Sequence, residues 1–214
     1  MRSQLKFYSL VLVVFIFWAC SCEHPANTPA QHALDEVYRL VDEQNYRKMG
    51  FESVDELNRI TLGEPIPVYF VGLNTLKEFD TSEDPRKLLN EPHEMFYPVL
   101  VDEQVRCSMG IKKTAGEWEV RNFGRPKLSR ALAGVRNEHA ESTGLSQSDY
   151  FSVEIPSMYL VFIGHYVDNK LMLTPVHDHE ELGFVVGKTE PAEDVIVRIV
   201  ESATDYKGPL SSTP

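Results

Sequence analysis

Cysteine is scarce: of three, only Cys107 lies beyond the first 22 residues. No disulfide framework can be built on it, and no pair of cysteines is spaced to hold zinc. Excess positive charge is also missing. The 214 residues carry 21 Lys+Arg against 32 Asp+Glu, a formal net charge of −11, which argues against binding the phosphate backbone of nucleic acid. No uncharged run reaches the roughly 20 residues that a membrane-spanning helix needs. GxSxG, P-loop, GxGxxG and HExxH patterns are all absent, and with them the most specific signs of acyl transfer, nucleotide binding and zinc hydrolysis.

What is there begins with the N-terminus. Arg2 and Lys6 precede an apolar run from Phe7 to Ala19, followed by Cys20, Ser21 and Cys22. A helix of that run rises about 20 Å, short of the roughly 30 Å hydrocarbon core. A short basic start, an apolar stretch and then small residues is the layout of a secretory signal. Phe17-Trp18-Ala19-Cys20 and Ala19-Cys20-Ser21-Cys22 each resemble the lipobox of bacterial lipoproteins, in which a small residue precedes the cysteine to be acylated. Phe17 or Ala19 stands where that pattern has Leu. The resemblance implies that residues 1–21 are a cleaved signal peptide and that Cys20 or Cys22 carries lipid. It also implies a protein anchored in the cell envelope, facing the periplasm or exterior. A soluble exported protein cut after Ser21, or an uncleaved anchor, are the other outcomes. Removing the segment takes away Arg2 and Lys6 but no acid, so the mature body is more acidic still and is repelled by an anionic bilayer.

Residues 22–31 contain Pro25 and Pro29 and no apolar period, and read as a tether. Residues 32–208 read as a single α+β domain and 209–214 as a flexible tail. About 193 residues then follow the signal, enough to bury roughly 70% of the surface the unfolded chain exposes without a metal or disulfide staple. Leu34, Val37, Tyr38 and Val41 predict an amphipathic helix of about 15 residues. Ser53-Val54-Asp55-Glu56 matches a capping box. Prolines at 65 and 67 place the strand 65–71 at a sheet edge or strand start. Strands over 95–101, 105–112 and 117–123 form a meander, in which Trp118 and Val120 face one way and Glu117, Glu119 and Arg121 the other. A helix is expected over 127–136, a loop over 138–149, and strands over 150–155, 157–163, 171–173 and 184–186. A helix from about Pro191 to Tyr206 closes the chain. The expected fold is an antiparallel sheet of about five to six strands with helices mainly on one face.

Chemistry is thin. Cys107 alternates with apolar neighbours in a strand and reads as a small core residue. His177 and His179 project to one side of an extended segment, with Asp178, Glu180 and Glu181 around them, and His165 closes the preceding strand. These histidines are candidate metal ligands, but a tight site needs three or four, and a solvated loop is the plainer reading. No cofactor is expected. The leading functional expectation is an envelope protein that binds a protein or small ligand without catalysis. A metal-dependent or acid/base enzyme using His177 and His179, and an assembly component of an envelope complex, are the rivals.

Overall fold

The computed structural model of the protein describes residues 27–205. The expected signal peptide, with Cys20 and Cys22, and the tail at 209–214 therefore lie outside the described residues. α1 (Asn27–Leu40) is followed by β1 (Ile60–Leu62), β2 (Ile66–Phe70) and α2 (Leu73–Glu78). Next come β3 (Glu94–Val101), β4 (Gln104–Thr114), β5 (Glu117–Gly124) and α3 (Pro126–Thr143). β6 (Phe151–Ile155), β7 (Leu160–Val167), β8 (Lys170–Pro175), β9 (Glu190–Pro191) and α4 (Ala192–Asp205) complete the described chain.

The expectation of five to six antiparallel strands is corrected: the fold is α+β around a mixed sheet of nine, ordered β5-β4-β3-β2-β6-β7-β8-β9, with β1 paired to β3. Two antiparallel meanders meet at β2 and β6, which run parallel. That pair joins segments some eighty residues apart, and a parallel pair needs a long crossover rather than a turn; here α3 is part of the crossover. β2 is not an edge strand. Its pairing with β6 covers Val68 to Phe70, so Pro67, which lacks an N–H, lies outside that ladder and leaves no gap in it. β1 and β9 are three and two residues long, too short to show alternation.

Alternation along the strands separates two helical layers. Met95, Tyr97, Val99 and Val101 of β3 pack with α1, while Phe96 between them packs with α3. Leu160 and Phe162 of β7 pack with α4, while Ile163 packs with α3. Thus α1, α2 and α4 cover one face, and α3, at 18 residues the longest helix among the described residues, covers the other. α3 overruns its expected end at Arg136 by seven residues. Its last two turns are polar except for Ala140, so no apolar stripe marks them, and Gly144 in the left-handed region (φ 74°) stops them.

Other boundaries shift for local reasons. α1 begins at Asn27, so residues 27–31 are helical and Ala30 is buried. It ends at Leu40, whose carbonyl accepts from Asn45 Nδ2 at 2.8 Å, while Asn45 Oδ1 accepts from the Asp42 N–H at 2.9 Å; these side chains outcompete another helical turn. Ser53 makes no capping bond to the 3₁₀ turn Val54–Arg59, and Glu56 reaches the Glu52 N–H and Arg106 rather than the Ser53 amide. Phe184–Val186 forms no strand, only a bridge from Phe184 to His179.

Cys107 lies in β4 with no exposure, and burial pushes its thiol up to about 12. It is expected to resist a thiol-alkylating reagent at pH 8 in the native protein and to react fully in denaturant. Rapid native labelling, read by mass spectrometry, would place it at the surface.

Candidate functional site

The two ends of the α3-covered face are polar, and neither end was marked by a motif. At the first, Glu154 of β6 stands between Phe70 of β2 and Val161 of β7, its direct partners in register. One residue pair along, Ser152 stands beside Val68, which is itself opposite Glu94 of β3. Glu94 and Glu154 are both buried. Glu94 reaches across β4 to Asn122 of β5, whose Nδ2 donates to Glu94 Oε1 at 3.0 Å. The reach is open because residue 110 is glycine: a Cβ there would lie 1.9 Å from Glu94 Oε1.

Arg125 completes the group. It precedes α3 with φ 53°, a left-handed conformation that a non-glycine residue adopts at a cost. Its guanidinium Nη2 lies 3.5 Å from Glu154 Oε2. Burial raises the Glu154 carboxyl above its usual range and the Glu94 charge adds to the rise, while Arg125 opposes both. Glu154 Oε1, Ser152 Oγ and Asn122 Oδ1 are buried without a hydrogen-bond partner. Phe70, Val161, Leu128 and Ala131 are partly buried and pack against the apolar cluster on this face of the sheet. His93, whose ring packs 5.8 Å from Phe70, lines a groove of about 480 Å³ together with Lys112 and Lys113.

At the other end of α3 lies a histidine cluster. His139 Nδ1 is 3.0 Å from Tyr150 Oη, and Nε2 is 2.8 Å from Thr189 Oγ1. Thr143 Oγ1 donates to the His139 carbonyl and contacts Tyr150 Oη at 2.9 Å, and Thr174 Oγ1 contacts Thr189 Oγ1 at 2.8 Å. Thr143 has spent its hydrogen on the carbonyl, so Tyr150 donates to Thr143 and must accept from His139 Nδ1–H. The network thus places a proton on Nδ1. With the imidazole neutral, His139 Nε2 accepts from Thr189, and Thr189 accepts from Thr174. The His165 ring lies 4.5 Å from His139 and 5.3 Å from Tyr150, centroid to centroid. Burial, with the neighbouring His139, lowers it to about 4, and burial lowers His139 too. A small cavity of about 180 Å³ opens beside the cluster, lined in part by His139, Thr174 and Ser142.

The sequence-predicted histidines are placed apart in role. His165 faces His139 and Tyr150. His177 is exposed and bonds through Nε2 to the Tyr159 carbonyl at 2.8 Å. His179 exchanges two backbone bonds with Phe184, and Asp178 Oδ1 accepts from the Val186 N–H. Among the described residues, no three His, Cys, Asp or Glu side chains gather as a metal-holding group. Glu94, Asn122, Arg125, His139 and Glu154 went unmarked by the sequence reading. One signal was available: Glu154 is the one charged residue of β6, where Ser152 and Glu154 alternate with Phe151, Val153 and Ile155. Comparison of the chain with family models, with curated proteins and with solved structures returns no match.

Proposed function

We propose that this is an exported, lipid-anchored cell-envelope protein whose α+β domain binds a protein or small ligand without catalysis, at the end of the sheet where Glu154 lies. The binding reading is carried by one observation: the Glu154 carboxylate is buried with one oxygen unpartnered, between the half-buried Phe70 and Val161 of the neighbouring strands. A buried charge without full partnering is unfavourable unless something else compensates, and a ligand supplies that compensation. Support for the anchor comes from the basic start, the short apolar run and Cys20 and Cys22. No helix among the described residues is long and apolar enough to cross a membrane, so the proposed attachment is the lipid itself, and its multiple acyl chains would hold where one chain is marginal.

The anchor is tested by labelling cells with radioactive palmitate and partitioning extracts in detergent. The protein is expected to take up label and enter the detergent phase, and Cys20→Ala/Cys22→Ala is expected to lose both. Label that survives the double change refutes lipid attachment at these cysteines.

A further inference from the structure

We propose that the paired imidazoles of His139 and His165 form an acid-operated latch: a proton taken up by His139 frees the C-terminal end of α3 and the loop after it, residues 137–149, from the sheet while the rest of the fold stays in place. The latch lies at the far end of α3 from Glu154 and does not depend on what binds there.

This end of α3 is held by few contacts, and most of them pass through His139. Upstream, Leu132, Ala133, Val135 and Arg136 are buried and fasten the helix to the sheet. From 137 to 149 only Ala140 is buried, with Asn137, His139 and Leu145 half-buried. The ties to later segments are polar: the His139 ring to Tyr150 Oη and Thr189 Oγ1, and Thr143 Oγ1 to Tyr150 Oη. A stretch with little apolar burial, anchored by side-chain hydrogen bonds, opens more readily than the domain that carries it.

Those anchors suit a neutral His139. A proton on Nε2 displaces the Thr189 hydrogen that Nε2 accepts, so that tie is lost or remade in the opposite sense. The surroundings do not welcome the new charge. His165 of β7 stands 4.5 Å away, ring centre to ring centre, is 1% exposed, and its Nδ1 has no hydrogen-bond partner. A second imidazole at that distance cannot stabilise a positive charge as a carboxylate would. The other ionisable side chains facing His139 are Tyr150, just before β6, and Glu138, its neighbour on α3, whose charge is exposed and screened by water. β8 and the approach to β9 offer only the hydroxyls of Thr174 and Thr189. Lys188 and Glu190, on either side of Thr189, pair with each other, and Glu190 also pairs with Arg198.

The proton has a way in. His139 and Glu138 both line the cavity of about 180 Å³, whereas His165 is almost wholly covered. Burial holds His139 below its ordinary value, and a ring swung into water returns to it. The open form therefore binds a proton more readily than the closed one, so acid favours opening, and above the ordinary imidazole range the latch is shut. On opening, Ala140 and Leu145 leave the apolar cluster that they share with Ile163 and Val176.

The test is hydrogen exchange of the full chain in detergent, read by mass spectrometry at pH 7.5 and pH 5.5 and corrected for the intrinsic rate. The helical amides of residues 139–144, among them the Gly144 N–H on the Ala140 carbonyl, are expected to lose about 10-fold in protection on acidification. One linked proton allows at most about tenfold per pH unit. The amides of β3 and β7 are expected to hold, and they report whether each variant is folded. His139→Gln keeps hydrogen-bonding groups but cannot take the proton, and its exchange at 139–144 is expected to be the same at both pH values. Tyr150→Phe removes the hydroxyl that His139 and Thr143 share, and is expected to loosen 139–144 at pH 7.5 by about 10-fold, the range for one or two hydrogen bonds. Unchanged protection in acid, or an acid response in His139→Gln equal to the parent's, overturns the latch. Loss spread evenly over β3, β7 and α3 would mean that acid unfolds the whole domain instead, and a Tyr150→Phe variant as protected as the parent would mean that packing, not the cluster, holds this end of α3; either result also overturns it.

Discussion

Arg106→Met is expected to destabilise the protein by about 3–5 kcal/mol at pH 7, the range for breaking a buried ion pair from one side. Arg106 of β4 donates from Nη2 and Nε to Glu56 Oε1 at 2.6 and 3.1 Å, with side chains 11% and 5% exposed. Nη1 meets Gln104 Oε1 at 3.1 Å and Glu52 Oε1 at 3.2 Å. Glu56 Oε2 also accepts from the Glu52 N–H at 2.8 Å. Burial pushes the Glu56 carboxyl upward, but Arg106 and that N–H outweigh it and leave it below its ordinary value. The pair ties the 3₁₀ turn Val54–Arg59 to the sheet. Without Arg106 the carboxylate stays in the interior with a single backbone donor. For a chain of this size the loss corresponds to roughly 10 °C in melting temperature, at about 2–4 °C per kcal/mol.

Two comparisons separate the ion pair from simple packing. Glu56→Leu/Arg106→Met removes both charges and is expected to recover most of the loss, since well-packed apolar pairs often equal or exceed buried ion pairs. The deficit of Arg106→Met relative to the parent is also expected to shrink near pH 4, where the stranded Glu56 can protonate. A double variant as unstable as the single one, in urea melts at pH 7, would show that shape rather than charge is responsible.

The parts of this fold visible in the sequence are those that one strand or one helix decides alone. The β3–β4–β5 meander and the apolar stripe of α4 follow from alternation and from a 3.6-residue period, and the Asp168-Asn169 turn takes the left-handed conformations its residues favour. What was hidden depends on distant partners. Glu154, which with Ser152 alternates with the apolar residues of β6, looks like an outward position until α3 is seen to lie over that face. Asn122 was disguised by a register shift. By simple alternation it shares a side with Val120, but a bulge between Gly110 and Ile111 places Val120 opposite Ile111, on the α1 side, and Asn122 opposite Gly110, on the α3 side. One extra residue in β5 thus moves the amide onto the face where Glu94 needs it. His139 was hidden differently. It belongs to the polar last turns of α3, and its partners Tyr150, His165, Thr174 and Thr189 come from four later segments.

Acid is expected to weaken the fold through the histidine cluster. His165 is 1% exposed and lowered from 6.5 to about 4 by burial and then by His139, which burial lowers as well. The folded state therefore binds fewer protons than the unfolded chain in this interval. Stability is fully present above about pH 6.5, falls as the pH drops, and stops falling on account of His165 near pH 4. At about 1.4 kcal/mol per unit, His165 alone accounts for on the order of 3 kcal/mol across that window. Glu154 acts with the opposite sign. Its carboxyl is raised, so the fold takes up that proton more readily than the unfolded chain and part of the loss is offset at the acid end. The histidine contribution is isolated by comparing the parent with His165→Phe, which keeps an aromatic ring beside His139 and Tyr150. Urea midpoints between pH 7 and pH 4 are expected to fall steeply for the parent and about one proton less steeply for the variant. Protonation of His139 would demand more than desolvation, because Nε2 would have to donate to Thr189, which would then turn its own hydrogen toward Thr174. Equal slopes for parent and variant would mean that His165 titrates in the folded state as it does in the unfolded one, and that the cluster beneath α3 is open to water.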